Sequence, residues 1–138
     1  RIMKLYKNYI DGKWLESESK DIIQVDDPAT GKIIGEISCA KKNEVDLAVA
    51  AAKRSFYSRV LVDMPLLERA RLMHRIADET RKIADEGGKM LCYENGKVLG
   101  SAIKEFNDVA DIFDYYAGLT DKLEGKTIPV SPLNKPFL

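Results

Sequence analysis

Cysteine, histidine and one-sided charge are all scarce: the 138 residues include two cysteines, one histidine and one tryptophan, and 22 basic side chains balance 22 acidic ones. Two cysteines, Cys39 and Cys92, cannot make a disulfide framework, and neither has a second Cys or His at metal-ligand spacing. Both read as reduced thiols with packing roles. A cysteine nucleophile needs a base brought near it, and His74, the single histidine, reads as a packed residue of a helical segment. Zero net charge leaves no electrostatic footprint for a phosphate backbone or an anionic surface, so nucleic acid is not an expected partner. No apolar run approaches the roughly 18–20 residues of a membrane span, and Arg1-Ile2-Met3-Lys4 leads into mixed sequence rather than a secretory apolar region. No membrane partner is expected, and the expected location is cytoplasmic. No G-x-S-x-G, H-E-x-x-H or C-x-x-C motif occurs, and Gly31, Gly35 and Gly87-Gly88 lack the spacing of a phosphate-cradling loop.

What is present is patterned for a core, with 45% hydrophobic residues in a chain long enough to bury roughly 68% of its unfolded surface. From Leu5 to Trp14, aromatic and β-branched residues flank Asp11-Gly12, a dipeptide that tolerates a tight hairpin turn. Ile22-Ile23-Gln24-Val25 and Lys32-Ile33-Ile34-Gly35-Glu36-Ile37-Ser38 flank Asp27-Pro28-Ala29-Thr30-Gly31, a second hairpin. After Ala40 the apolar period changes to about 3.6 residues. Asn43 is a plausible N-cap for a helix from Glu44 to Tyr57, with Val45, Ala48, Val49, Ala52 and Phe56 on one stripe. Its alanines let a neighbour approach closely.

Asp63 is expected to cap the next helix, with Pro65 in its first turn and the stripe Leu67, Ala70, Met73, Ile76, Ala77, Thr80, Ile83, Ala84. Gly87-Gly88 interrupts it, and Lys89 to Glu94 reads as a short helix closed by Asn95-Gly96 in a left-handed conformation. From Ser101 a further stripe runs through Ile103, Phe106, Val109, Ala110, Phe113, Tyr116 and Ala117 toward Leu123, with Gly125 as the stop. Glu105, Asp108, Asp111 and Asp114 recur every three residues, a solvated acidic face or a cation or acid/base constellation. Tyr115 and Tyr116 point about 100° apart, so at least one reads as core. The tail from Lys126 to Leu133 reads as extended, its prolines confining it to a sheet edge.

Six blocks, taken in order, carry a family resemblance. They are Asn8-Tyr9-Ile10-Asp11-Gly12-Lys13-Trp14, Asp27-Pro28-Ala29-Thr30-Gly31-Lys32, the segment from Val45 to Lys53, the segment from Glu68 to Asp78, Glu94-Asn95-Gly96-Lys97 and Tyr115-Tyr116-Ala117-Gly118. Closing on Gly125-Lys126-Thr127-Ile128-Pro129, they resemble the N-terminal portion of the NAD(P)-dependent aldehyde dehydrogenase superfamily over nearly the whole chain.

The resemblance implies an α/β fold: the N-terminal part of an aldehyde-dehydrogenase-like, Rossmann-like dinucleotide-binding domain, two β-hairpins followed by about four helices. Residues 1–123 would belong to that cofactor-binding domain and 124–138 would start the oligomerisation arm of a homodimer or homotetramer. The catalytic domain would be absent from this stretch. The implied activity is oxidation of an aldehyde to a carboxylic acid through a cysteine-bound intermediate, with NAD or NADP as hydride acceptor and a glutamate base for hydrolysis. The cofactor loop, nucleophile and base would lie downstream of Leu138, so no residue here inherits a catalytic or cofactor-binding role, Cys39 and Cys92 included. The 138 residues alone are not expected to be active, and the rival role is a module acting only in subunit association.

By alignment on Tyr115-Tyr116, Lys104 and Asp108 would face the aldehyde entrance channel, where relatives taking apolar aldehydes place apolar residues. Their polarity implies a polar or oxygenated aldehyde. Glu94 matches a carboxylate associated in some relatives with a structural monovalent cation. Gly87-Gly88 departs from the family pattern, at a cost of roughly 1 kcal/mol of helix propensity per glycine, so a break is expected there.

Overall fold

A computed structural model describes residues 4–128, and they fold as two small sheets followed by four helices, an α/β arrangement. The antiparallel hairpin comes from β2 (Asn8–Ile10) and β3 (Lys13–Leu15), with Tyr9 opposite Trp14. Both turn residues, Asp11 and Gly12, have positive φ, 53° and 77°, which matches a two-residue turn to the strand twist. The expected hairpin is therefore present but shorter than the Leu5–Trp14 segment. Leu5–Tyr6 (β1) leaves it and pairs in parallel with β5 (Ile33–Ser38), because main-chain groups next to a strand edge are satisfied by whichever edge is open.

β4 (Ile22–Asp26) pairs antiparallel with β5, giving the strand order β1-β5-β4. Its turn is built by Asp27, only 8% exposed: Oδ1 accepts from the Ala29 amide at 2.8 Å and Oδ2 from the Thr30 hydroxyl at 2.8 Å. Pro28 and the positive-φ Gly31 complete it.

Helix α1 (Lys42–Tyr57) starts two residues before the expected position, with Lys41 rather than Asn43 at the N-cap. The capping group lies inside the helix: Glu44 Oε2 accepts the Lys41 amide at 2.9 Å, while Oε1 accepts the Glu18 amide at 2.8 Å and the Ser17 hydroxyl at 3.0 Å. Ser38 Oγ accepts the Ser17 amide at 2.6 Å, so this buried knot ties the loop after β3 and the end of β5 to the start of α1. The Glu18 amide first, then Glu44's own amide and the Lys41 amide, with the Ser17 hydroxyl adding least, draw the Glu44 carboxyl down to about 2 against an opposing effect of burial.

Helix α2 (Leu66–Lys82) has Pro65 at its N-cap rather than Asp63, whose carboxylate is taken by Arg59 at 2.8 Å. The stripe predicted through Ala84 breaks at Ile83, which ends α2 and starts α3 (Ala84–Asn95). Gly87 and Gly88, expected to interrupt the helix, instead lie within α3. The physical reason is the neighbour, α4 (Leu99–Gly118): a Cβ on Gly88 would come within 2.5 Å of Ile103 Cγ1 and 2.8 Å of Ile103 Cα, and one on Gly87 would strike the Phe106 ring. The glycines let two helices meet backbone to side chain. Gly96 closes α3 with φ 73°, as its sequence context predicts.

Helix α4 packs on both α2 and α3 and ends at Gly118, well before Gly125. Thr120 Oγ1 donates to the Ala117 carbonyl at 2.6 Å, satisfying a group that further helix would have used. The most buried positions in the bundle are small: Ala77, Ala102 and Ala110 are inaccessible and Ala117 is 3% exposed. Of the larger members of the predicted stripes, Met73, Ile103, Phe106 and Phe113 are half-buried and others lie at the margins. Leu67 is 63% exposed, and Tyr115 and Tyr116, one of which was expected in the core, are 65% and 55% exposed and stack edge-to-face on each other.

Candidate functional site

Lys104 and Asp108 lie one turn apart on the first half of α4, the i, i+4 spacing that makes helical side chains neighbours. The Lys104 ammonium reaches both Asp108 carboxylate oxygens, at 2.5 and 2.6 Å. Both side chains are exposed. The structure thus brings the two sequence-predicted residues together as one surface ion pair.

The rest of the acidic run is also partnered. Glu105 accepts from Lys97, and Arg81 of α2 reaches Asp111 at 2.7 Å and Asp114 at 2.6 Å. His74 Nδ1 lies 2.6 Å from the other Asp114 oxygen, and since an ionised carboxylate only accepts, the ring donates. His74 is therefore an exposed partner of α4 rather than a packed core residue. The His74 hydrogen bond and then the Arg81 hydrogen bond hold the Asp114 carboxyl below its usual range. The result is a clasp across α2 and α4. Sequence reading missed Arg81, whose only signal was its place on the face of α2 that meets α4.

Glu94 stands at the end of α3, in the wall of a cavity of about 250 Å³ otherwise lined mainly by apolar side chains, among them Val25 and Ile37 of the sheet and Met90. Among the described residues no group of three or more His, Cys, Asp and Glu side chains is placed to hold a metal ion. Cys39 and Cys92 are free and half-buried. Neither is bonded to His74, whose partner is Asp114, so among the described residues no thiol–imidazole pair is assembled. Glu44 already occupies the start of α1, and α2 and α3 carry acidic residues in their first turns, whereas the first turn of α4 carries none. No described helix is long and apolar enough to cross a membrane.

Comparison with known proteins places this geometry. The sequence pattern described as the aldehyde dehydrogenase family matches residues 14–137. Among curated proteins, the chain is 38% identical over 132 residues to the peroxisomal aminoaldehyde dehydrogenase 1 of Pisum sativum, covering 94% of this chain and 26% of that protein. It is 33% identical over 122 residues to the D-glyceraldehyde dehydrogenase (NADP+) of Picrophilus torridus, covering 88% of this chain and 24% of that one. Among solved structures, a variant betaine aldehyde dehydrogenase from Staphylococcus aureus in complex with NAD+ superposes with a TM-score of 0.80 at 29% identity, over 92% of this chain and 25% of that one. The chain spans about a quarter of the length of the relatives it matches.

Proposed function

The chain belongs to the aldehyde dehydrogenase family, and from that premise we propose that its parent protein oxidises an aldehyde to a carboxylic acid with NAD or NADP as hydride acceptor. The carrying observation is that the family pattern covers residues 14–137 of a stretch whose fold superposes at 0.80 on a family structure. The dinucleotide supplies the hydride acceptor. This stretch is taken to contribute scaffold and entrance rather than the cofactor site, a reading supported by the acidic first turns of α1, α2 and α3. A dimer or tetramer is part of the proposal. The arm assigned to 124–138 lies largely outside the described residues, which end at Ile128 without a further element.

Within that reading, Lys104 and Asp108 line the aldehyde entrance and favour a polar or oxygenated substrate. Their mutual ion pair and exposure support this, because a charged pair at a channel mouth keeps its hydration beside a polar aldehyde and loses it beside an apolar one. The names of the relatives, an aminoaldehyde, a glyceraldehyde and a betaine aldehyde dehydrogenase, point the same way. For Glu94, a monovalent-cation role rests on the family resemblance, and the largely apolar wall with no carboxylate cluster beside it among the described residues argues against a divalent ion.

Intact mass of the native protein, with NADH or NADPH production on a panel of small polar and apolar aldehydes, is the test. A mass several times 15.5 kDa with turnover is expected. In that parent, Lys104→Met with Asp108→Leu should raise KM for polar aldehydes about tenfold while leaving kcat nearly unchanged, the mark of lost uniform binding. Equal KM for polar and apolar aldehydes before and after the exchange would remove the entrance assignment.

A further inference from the structure

Lys104, Asp108 and Asp111 stand at i, i+4 and i+7 of α4, so they form one row along the helix. Lys104 is engaged by Asp108, which leaves Asp111 as an excess negative charge in the row. Arg81 of α2 meets it: one guanidinium nitrogen donates to Asp111 at 2.7 Å and to Asp114, one turn further along α4, at 2.6 Å. Asp78, one turn before Arg81 on α2, lies 3.7 Å from the other nitrogen. Three carboxylates thus face one guanidinium, and His74 adds a hydrogen bond from its ring to Asp114. The Asp114 carboxylate first, and then that of Asp111, hold the Arg81 proton more firmly than usual, so its charge is constant over any assay pH.

We propose that Arg81 is a specificity-determining residue of the aldehyde entrance, balancing Asp111 beside Lys104 and Asp108 so that the mouth carries little net charge and favours neutral polar aldehydes over cationic ones. The inference rests on the entrance reading above. Asp111 is one turn from Asp108, a separation of about 5–6 Å between Cβ atoms. That lies within the Debye length of about 10 Å at 0.1 M salt, so an aldehyde at the Lys104–Asp108 pair senses Asp111 and Arg81 together. Without the guanidinium, Asp111 and Asp114 present unbalanced negative charge, which concentrates cations and repels anions. Helix α4 has a second hold on α3, through Ile103 against Gly88 and Phe106 against Gly87, so removing Arg81 alters charge more than it alters the position of the helix.

The test compares KM for two aldehydes of equal chain length, one ending in a trimethylammonium group and one in a carboxylate, in the native parent protein at low salt. Arg81→Met should raise the ratio of anionic to cationic KM about fivefold with kcat unchanged, the scale of one exposed charge felt across roughly 8 Å of water by substrates of each sign. Asp111→Asn, which leaves Arg81 on Asp114, should lower the same ratio, and both shifts should vanish at 1 M NaCl. A purely structural role predicts shifts of the same sign in both variants, indifferent to substrate charge and persistent in salt, and that result would overturn the inference. Should Arg81→Met fail to fold, the Asp111→Asn shift decides alone. The exchange Lys104→Met with Asp108→Leu separates the two readings. A KM change there with none in Arg81→Met or Asp111→Asn removes only the Arg81 assignment, whereas no KM change in any of the three removes the entrance as well.

Discussion

At the residue scale, the most informative side chains are those whose partners lie far along the sequence. Glu44 carries a helix start, a loop and a sheet end at once, through bonds to Lys41, Glu18 and Ser17. Its carboxyl lies at about 2 in the folded chain and near 4.5 unfolded. The unfolded state therefore binds the proton more readily, and the stability this group contributes is complete above about pH 5 and is lost as the pH falls through that window. Glu44→Gln should lower the urea midpoint at pH 7 and remove that part of the acid dependence. A variant whose midpoint still falls as steeply between pH 5 and pH 2.5 would show that other carboxylates carry it. Gly88 is the second such residue. Alanine there gains roughly 1 kcal/mol of helix propensity but meets Ile103 main-chain atoms at 2.8 and 2.9 Å, and overpacking of that kind costs about 1–3 kcal/mol or more. Gly88→Ala should lower the thermal midpoint, and more than Gly87→Ala, whose obstacle is a phenyl ring able to turn. The reverse order would refute the backbone contact.

At the element scale, one terminator was legible, Gly96, while Gly125 and Gly87-Gly88 were not the stops they resembled. Gly96 is left-handed at φ 73° with open space around it apart from a 3.4 Å approach to Pro28, so Gly96→Ala should cost about 1 kcal/mol through backbone strain alone. Denaturant titration checks this, and a neutral result would mean that the turn relaxes. Asn43 and Asp63 have the chemistry of caps, yet Lys41 and Pro65 hold those places, the Lys41 amide being capped from inside the helix by Glu44 and the Asp63 carboxylate being taken by Arg59. The α2–α4 clasp is likewise an element-scale device. Coupling between Arg81→Met and Asp114→Asn, measured as a double-mutant cycle, should be present at low salt and largely screened at 1 M NaCl, because both side chains are about a third exposed. Salt-independent coupling would mark a buried pair instead.

For the whole molecule, burial is uneven. The α2–α3–α4 bundle contains inaccessible alanines, whereas no residue of β4 is buried and Ile22 and Ile23 are 46% and 53% exposed. Native-state hydrogen exchange should find α2 and α4 protected well beyond β4, and uniform protection would contradict two levels of stability. By itself the sequence determined the hairpin turns, the four helices with their approximate spans, the left-handed Gly96 and the family, since turn chemistry and apolar period act over a few residues and leave a local trace. It also put Lys104 and Asp108 on one helical face. Only the tertiary structure decided that Gly87-Gly88 is a contact and not a break, that His74 and Arg81 hold Asp114, that Leu5–Tyr6 joins another sheet, and that the apolar stripe of α1 stays uncovered by the described residues. Each of these depends on which element lies opposite, a property of pairs distant in sequence that no local pattern encodes.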